Sequence, residues 1–164
     1  MIIHNSFFFI RHGETDANLS NALGYIEDIP LNQNGEDQAS EAAYILKDCE
    51  ISKIYSSNLA RAKRTAEIIS EICELEYSVS SNLAEVFDKN SSSQENEQDF
   101  ANRIVAEINF ILSSCSNPLI VSHYGVFKTL IKILNLPSLA CKNAQIYVFS
   151  YSESFKSWHI EALN

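Results

Sequence analysis

Residues 7–15 read FFFIRHGET, an apolar run that stops abruptly at a charged pair. A short run of phenylalanine and isoleucine bounded by polar residues predicts a buried strand. Open α/β sheets bind their ligands just beyond the carboxyl ends of such strands, which is where Arg11 and His12 stand. Gly13 allows a sharp turn and a close approach of the backbone to a ligand. Taken alone, Arg11 and His12 are more simply explained as a solvated strand end. Whether they form a ligand site depends on the rest of the chain.

Length and composition bound the class of protein. The 164 residues, 46% of them hydrophobic, predict one domain spanning residues 1–164. A net charge of −9 argues against nucleic acid or an anionic membrane as a partner. The four cysteines form no CxxC pair, which is typical of a reducing compartment and predicts no zinc knuckle. The N-terminal residues do not resemble a signal peptide, and no apolar stretch reaches bilayer length, so we expect a cytoplasmic protein.

The rest of the chain alternates between predicted strands and helices. Apolar periodicity predicts helices over 34–47, 59–75, 98–114 and 126–134, strands over 51–56, 77–80 and 118–123, and a closing hairpin of strands over 145–151 and 157–163. Asn32 and the pair Ser57-Asn58 are placed to cap the first two helices. The polar residues 14–24 and 88–99 predict loops. This alternation predicts an α/β fold with a mostly parallel sheet and helices on both faces.

Two strands that are far apart in the sequence both end in histidine, at His12 and His123. If the strands are neighbours in the sheet, the two imidazoles meet in the crevice at its edge. Arg61 falls in the first turn of a helix that begins just after another strand, which places it on the same rim. Two arginines and two histidines predict a site for a tetrahedral dianion, because the guanidinium fork matches phosphate oxygens. A helix N-terminus adds backbone donors to such a site.

The ordered set of motifs resembles that of the histidine phosphatase superfamily, in the branch that includes phosphoglycerate mutases. The resemblance covers nearly the whole chain and is carried by Arg11-His12-Gly13-Glu14-Thr15 with Asn18, Asp28-Ile29-Pro30-Leu31 with Gly35 and Gln38-Ala39, Ser57-Asn58-Leu59 with Arg61-Ala62 and Thr65-Ala66, Glu85, Ser122-His123 with Gly125-Val126, and Asn143-Ala144 through Trp158 to Asn164. A lone Arg-His-Gly is a weak signal, whereas the ordered set is specific.

The resemblance implies a three-layer α/β/α sandwich with a six-stranded, mostly parallel mixed sheet in which one strand is antiparallel. It also implies that His12 is the nucleophile that becomes phosphohistidine, and that Glu85 protonates the leaving oxygen and later deprotonates water. The phosphoryl oxygens would be held by Arg11, Arg61 and His123, with Asn18 assisting. Neutral imidazole suits this task, since its unperturbed pKa is about 6.5. No metal and no other cofactor is expected.

Two departures from the family pattern concern the rim of the site and the acid block. Tyr124 stands where most members have glycine, so the rim beside His123 is bulkier, and we expect Tyr124 to contact the substrate. Residues 88–96 replace the Gly and Trp-Glu-Gly pattern that usually follows the acid block. The alternative reading of Glu85 is therefore a surface carboxylate, with Glu95, Glu97 and Asp99 as the next candidates for the acid. Selectivity is expected to come from residues 91–100, Tyr124 and Tyr25.

Four functions remain open at this point. The leading hypothesis is a metal-independent phosphomonoester hydrolase acting on a small phosphorylated metabolite. A phosphoglycerate-type mutase is the second, although family mutases are typically longer, with insertions that enclose the substrate. A protein phosphohistidine phosphatase is the third, although such members usually lack the Glu-Thr-x-x-Asn extension present at residues 14–18. The fourth is an inactive phospho-ligand-binding module, against which the retention of both histidines and both arginines argues.

Overall fold

The computed structural model describes residues 1–19, 28–85 and 95–164. Its strands are β1 Phe7–Arg11, β2 Ile54–Ser57, β3 Tyr77–Ser80, β4 Leu119–Ser122, β5 Ile146–Ser152 and β6 Ser157–Ala162. Its helices are α1 Asp16–Leu19, α2 Gln33–Leu46, α3 Ala60–Cys73, α4 Glu97–Ser114 and α5 Tyr124–Ile133, with a 3-10 turn at Ser81–Leu83. Among the helices in these ranges, none is both long and apolar enough to cross a bilayer.

The strands of the described residues form one six-stranded sheet in the order β3-β2-β4-β1-β5-β6. β1, β2, β3 and β4 pair in parallel, whereas β5 runs antiparallel to both β1 and β6. The sheet is therefore mixed, with β5 as its one antiparallel strand, which confirms the predicted fold class. β1 and β4 are direct neighbours, and their register pairs Arg11 with Ser122.

The two faces of the sheet bury two separate hydrophobic clusters. Side chains alternate along β1, so Phe7 and Phe9 lie in one cluster while Ile10 lies in the other. The first cluster is completed by α4 and α5, and the second by α2 and α3. Helices thus cover both faces, which makes the molecule a three-layer sandwich.

Most predicted helices and strands are present with small changes in their ends, and three local predictions are wrong. Part of the loop predicted over 14–24 is the short helix α1. β2 begins at Ile54 rather than Ile51, because pairing with β3 and β4 starts there. Asn32 caps α2 as predicted, its side chain accepting from the Gly35 N–H, whereas Leu59 holds the cap position of α3 without a side-chain bond. The start of α3 is capped by the side chain of Asp28 instead of the predicted Ser57-Asn58.

Candidate active site

The parallel pairing of β1 with β4 brings the two strand-end histidines together. The His12 N–H donates to the carbonyl oxygen of Ser122 over 3.0 Å, which continues the ladder one residue past Arg11. The ring centroids of His12 and His123 lie 5.3 Å apart, and both residues are buried. This is the arrangement expected if the two strands are neighbours in the sheet.

The hydrogen bonds of His12 decide which ring nitrogen keeps a free lone pair. Nδ1 lies 2.7 Å from the carbonyl oxygen of Gly13, which can only accept, so Nδ1 carries the proton. Nε2 accepts from Nε of Arg61 over 3.2 Å and therefore keeps its lone pair. Burial, and then the charges of Arg61 and Arg11, lower the pKa of His12 to about 3, although the Gly13 bond acts in the opposite direction. At neutral pH the ring is thus an uncharged imidazole with Nε2 unprotonated.

Arg61 is presented by the N-terminus of α3. The N–H of Ala60 donates to Oδ1 of Asp28 over 2.7 Å, so Asp28 satisfies the start of this helix. The buried guanidinium lies between two carboxylates, with Nη1 4.0 Å from Asp28 Oδ1 and Nη2 3.7 Å from Glu85 Oε2. Burial lowers the pKa of Arg61, and the two carboxylates oppose that effect. Within the described residues Nη1 has no hydrogen-bond partner, so it remains a donor for an anion.

Arg11 offers a second cation from the end of β1. Its Nη1 donates to the carbonyl oxygen of Cys141 over 2.8 Å, which anchors one side of the guanidinium. Its buried Nε finds no hydrogen-bond acceptor in the described part of the chain. Each of the two arginines therefore keeps at least one buried N–H that a phosphoryl oxygen could satisfy.

His123 is fully buried where β4 passes into α5. Its Nε2 lies 2.8 Å from Oγ of Ser57, and its Nδ1 has no hydrogen-bond partner among residues that the structure describes. Burial, followed by the nearby His12, Arg61 and Arg11, lowers the pKa of His123 well below its usual value. His123 is therefore neutral at pH 7 and contributes a hydrogen-bonding group rather than a charge.

Glu85 is brought to the same place from the residues that follow the 3-10 turn. Its Oε1 accepts from the N–H of Gly125 over 2.7 Å, at the N-terminus of α5. Its Oε2 lies 3.7 Å from Arg61 Nη2 and 3.9 Å from His123 Nδ1. A Cβ at position 125 would stand 3.0 Å from Oε1, so glycine there makes room for the carboxylate. The structure thus places Glu85 beside His123 and Arg61 and not on an unrelated surface.

The other acidic candidates are held elsewhere. Glu95 forms a salt bridge of 2.6 Å with Arg103, and Glu97 forms one of 2.6 Å with Lys132. Asp99 lies in the first turn of α4, where its N–H is capped by Asn96. Their contacts with other described residues include neither histidine, whereas Glu85 lies near both His123 and Arg61.

Asn18 lies beside the loop that follows His12. Its Oδ1 accepts from the N–H and hydroxyl of Thr15 over 3.0 and 3.1 Å, and from Nδ2 of Asn143 over 3.0 Å. Asn143 also donates to the carbonyl oxygens of His12 and Gly13. Asn18 is therefore fixed through its oxygen, and its Nδ2 is the group that it could offer to a phosphoryl oxygen.

Tyr124 lies on the rim as the first residue of α5 and is 45% exposed. The guanidinium carbon of Arg11 is 5.8 Å from its ring centroid, and Nζ of Lys128 is 5.7 Å from it. An exposed aromatic ring between two cations can contact the part of a substrate that extends beyond the phosphoryl group. Tyr25 and residues 91–94 of the predicted selectivity segment 91–100 lie outside the described residues.

Four polar residues of the site were given no catalytic role by the sequence: Asp28, Ser57, Thr65 and Asn143. Thr65 accepts from the Gly13 N–H over 3.0 Å and donates to the carbonyl oxygen of Arg61 over 2.8 Å, so it ties the His12 loop to α3. A Cβ on Gly13 would lie 2.3 Å from the Gly35 carbonyl oxygen, which explains the glycine in this packed loop. The available signal was position, since Ser57 and Thr65 lie in the sequence block of Arg61, and Asp28 and Asn143 lie in two other blocks that carry the family resemblance.

The donor set favours an anion over a metal ion. No group of three or more histidine, cysteine, aspartate or glutamate side chains within the described ranges has the geometry of a metal site. Two arginines, the neutral His123 and one carboxylate instead gather beside His12, whose Nε2 is unprotonated. Such an arrangement can stabilise the oxygens of a phosphoryl group while imidazole attacks it.

Comparison with known proteins agrees with this picture. A sequence model of the histidine phosphatase superfamily (branch 1) matches residues 7–87. A relative from Escherichia coli, probable phosphoglycerate mutase GpmB, is 31% identical over an alignment of 193 positions. The alignment covers 94% of this chain and 90% of that protein.

Solved structures share the fold at lower identity. Bacillus stearothermophilus YhfR superposes with a TM-score of 0.82 at 20% identity, covering 97% of this chain and 96% of that one. A putative alpha-ribazole-5'-P phosphatase from Escherichia coli superposes with a TM-score of 0.77 at 22% sequence identity, covering 98% of this chain and 96% of that one. A mycobacterial glucosyl-3-phosphoglycerate phosphatase complexed with VO3 superposes with a TM-score of 0.75 at 22% sequence identity, covering 98% of each chain.

Proposed function

This chain belongs to the histidine phosphatase superfamily, and from that premise we propose that it hydrolyses small phosphate monoesters through a phosphohistidine intermediate. The observation that carries the proposal is the state of His12. Its Nε2 is unprotonated because Nδ1–H is committed to the Gly13 carbonyl, and the guanidinium of Arg61 lies directly against it. A neutral nucleophile beside cations is what attack on a phosphoryl dianion requires.

In the first step Nε2 of His12 attacks phosphorus, and the bond from phosphorus to the ester oxygen breaks. Arg11 and Arg61 donate to the phosphoryl oxygens, where charge is concentrated in the transition state. Glu85 in its protonated form gives its proton to the departing alkoxide oxygen. The products are the free alcohol and a phosphoryl group bonded to Nε2, with Nδ1–H still held by Gly13.

In the second step a water molecule attacks the phosphohistidine. The Glu85 carboxylate takes a proton from the water as its oxygen bonds to phosphorus. The bond from Nε2 to phosphorus breaks, inorganic phosphate leaves, and the lone pair returns to Nε2. Glu85 is then protonated again, so the two steps close a cycle that needs no metal ion and no other cofactor.

A phosphoglycerate-type mutase is the alternative with a specific observation behind it. The Escherichia coli relative is named a probable phosphoglycerate mutase, and this chain covers 90% of it. A mutase would return the phosphoryl group from His12 to a second hydroxyl of the substrate instead of to water. Family mutases typically carry insertions that enclose the substrate, and the 164 residues of this chain leave little room for them, which favours hydrolysis.

A phosphate-release screen tests the proposal. Purified protein is incubated with p-nitrophenyl phosphate, sugar phosphates, nucleotides, phosphoglycerates, α-ribazole phosphate and a phosphohistidine peptide, with and without a chelator. We expect turnover of at least one small monoester that survives chelation and is absent in His12→Ala. Net isomerisation of a phosphoglycerate without phosphate release would show that the protein is a mutase and not a hydrolase. Turnover of the phosphohistidine peptide alone would indicate a protein phosphatase, and binding without any turnover would indicate a phospho-ligand module.

A further inference from the structure

We propose that Ser57 is a positioning residue that fixes the proton of His123 on Nδ1, so that this nitrogen donates to a phosphoryl oxygen. Ser57 is the last residue of β2 and is fully buried. The register of β2 with β4 pairs Ser56 with Val121, so Ser57 reaches the end of its strand beside the end of β4. Its effect on turnover rests on the proposed function, whereas the position of the proton does not.

The hydrogen atoms around Ser57 can be counted. Its Oγ accepts from the Leu59 N–H over 3.3 Å and lies 2.8 Å from Nε2 of His123. A hydroxyl has a single hydrogen to donate. Among the described residues, the contact with His123 Nε2 is the one hydrogen bond of this hydroxyl in which it can donate. If Nε2 carried the proton, the hydroxyl hydrogen of a fully buried serine would have no acceptor, which is costly. Ser57 therefore donates and Nε2 accepts.

The proton of the neutral ring must then be on Nδ1. Nδ1 is buried, and no hydrogen-bond partner for it exists within residues 1–19, 28–85 and 95–164. The carboxylate oxygen of Glu85 approaches to 3.9 Å, which is too far for a hydrogen bond. The ring also lies 5.3 Å from the ring of His12, centroid to centroid. Nδ1–H is thus an unused donor between the proposed nucleophile and the proposed acid, where the phosphoryl group would lie.

The tautomer matters because the ring is neutral. Burial and the neighbouring cations lower the pKa of His123, so a second proton does not make both nitrogens donors at pH 7. With Nδ1–H, the ring donates to a phosphoryl oxygen. With the opposite tautomer, the lone pair of Nδ1 would face the same oxygen and repel it. The hydroxyl of Ser57 therefore converts His123 from a repulsive neighbour of the anion into a donor.

Ring-nitrogen NMR tests the proposal directly on the ligand-free protein. The chain has four histidines, and His123→Gln assigns the signals of His123 in protein labelled with nitrogen-15 on histidine. We expect a protonated Nδ1 and an unprotonated Nε2 at pH 7. A protonated Nε2 would overturn the proposal. This readout needs no turnover, so it stands even if the protein proves not to be a phosphatase.

A variant series tests the consequence for catalysis. Ser57→Ala removes the donor, so we expect a mixture of His123 tautomers and a fall in kcat of about twofold to tenfold, because turnover then scales with the fraction of rings that keep the Nδ1 proton. Ser57→Thr restores the hydroxyl and should restore the Nδ1–H signal. Ser56→Ala is the matched control, because Ser56 is equally buried but donates to the carbonyl oxygen of Ser57. An unchanged tautomer in Ser57→Ala would show that another group fixes the proton and would overturn the proposal.

Discussion

Arg61 and His12 are hydrogen-bonded to each other in the ligand-free protein, with Nε of Arg61 donating to Nε2 of His12 over 3.2 Å. The nitrogen proposed to attack phosphorus is therefore engaged by one of the cations proposed to bind the substrate. A phosphoryl dianion is a stronger acceptor for a guanidinium than a neutral imidazole is, because its hydrogen bonds are charge-assisted. Substrate binding would thus draw Arg61 onto the phosphoryl oxygens and release Nε2 for attack.

The first prediction concerns Arg61. Arg61→Ala should lower kcat by on the order of a hundredfold or more, because the cation acts on charge that grows in the transition state. Arg61→Lys should retain only part of the wild-type kcat, since the lysine ammonium group lacks the planar fork of the guanidinium. Orthovanadate should raise the melting temperature of the wild type and do so much less in Arg61→Ala.

Arg64→Ala is the matched control for Arg61. Arg64 lies on the same helix, is more exposed, and pairs with Glu36 over 2.7 Å. It should keep near wild-type turnover and vanadate stabilisation. Full activity in Arg61→Ala, or an equal loss in Arg64→Ala, would contradict the proposed site.

The second prediction concerns stability against pH. An unfolded histidine takes up a proton below pH about 6.5, whereas folded His12 stays neutral down to about pH 3. Between these values the unfolded state binds more protons, so the free energy of unfolding falls as the pH drops through 6.5. One such histidine removes about 2 kcal/mol of stability on going from pH 7.5 to pH 5.

Urea unfolding at pH 7.5 and pH 5 measures this effect. The difference in unfolding free energy between the two pH values should be smaller in His12→Asn than in the wild type by about that 2 kcal/mol. His159→Gln, which removes an exposed histidine of β6, should keep the wild-type difference. The same pH difference in His12→Asn and in the wild type would mean that the folded ring is protonated as readily as the unfolded one.

The third prediction concerns Glu85. A general acid matters most for a poor leaving group, because an alkoxide must be protonated as it departs whereas nitrophenolate leaves unaided. Glu85→Gln should slow phosphoenzyme formation from an alkyl phosphate by roughly a hundredfold or more, within the usual range for acid–base catalysis. Formation from p-nitrophenyl phosphate should slow much less. Single-turnover bursts are the measurement, since dephosphorylation can limit the steady state.

Glu97→Gln provides the control for Glu85. The Glu97 side chain is 80% exposed and pairs with Lys132, away from the histidines. It should leave both bursts unchanged. Equal losses for the two substrates in Glu85→Gln would show that Glu85 does not protonate the leaving group, and no loss for either would return it to the role of a surface carboxylate.

The fourth prediction concerns Tyr124. Tyr124→Ala opens the rim between Arg11 and Lys128, so kcat/KM for a bulky phosphate ester should rise relative to that for a small one, by roughly tenfold. Tyr44→Ala, which removes an exposed tyrosine from α2, should leave the ratio unchanged. A ratio that does not move in Tyr124→Ala would mean that the ring does not contact the substrate.

Much of the fold could be predicted because its signals are local. The apolar run of residues 7–10 and the spacing of apolar residues in the helices report burial through periodicity alone. The meeting of His12 and His123 followed from one further rule, that strands ending in polar residues bring them to one edge of the sheet. The predicted set of arginines and histidines is the set that the structure brings together.

The remaining contacts could not be predicted because they join segments that the chain separates. Asp28 caps α3 from 32 residues away by accepting from the Ala60 N–H, whereas Ser57 reaches only the N–H of the cap residue Leu59. Glu85 is held by the N–H of Gly125, 40 residues further along. Such contacts depend on how loops are placed over a finished sheet, and no local periodicity records them.

The central claim is that His12 carries the phosphoryl group, and trapping that group tests it most directly. Wild-type protein is mixed with phosphorus-32 p-nitrophenyl phosphate, quenched within the first turnover, digested and mapped. We predict phosphate that is labile in acid and stable in base, on the peptide that contains His12, and no such label in His12→Asn. Label on a serine or aspartate, or label that persists in His12→Asn, would contradict the account.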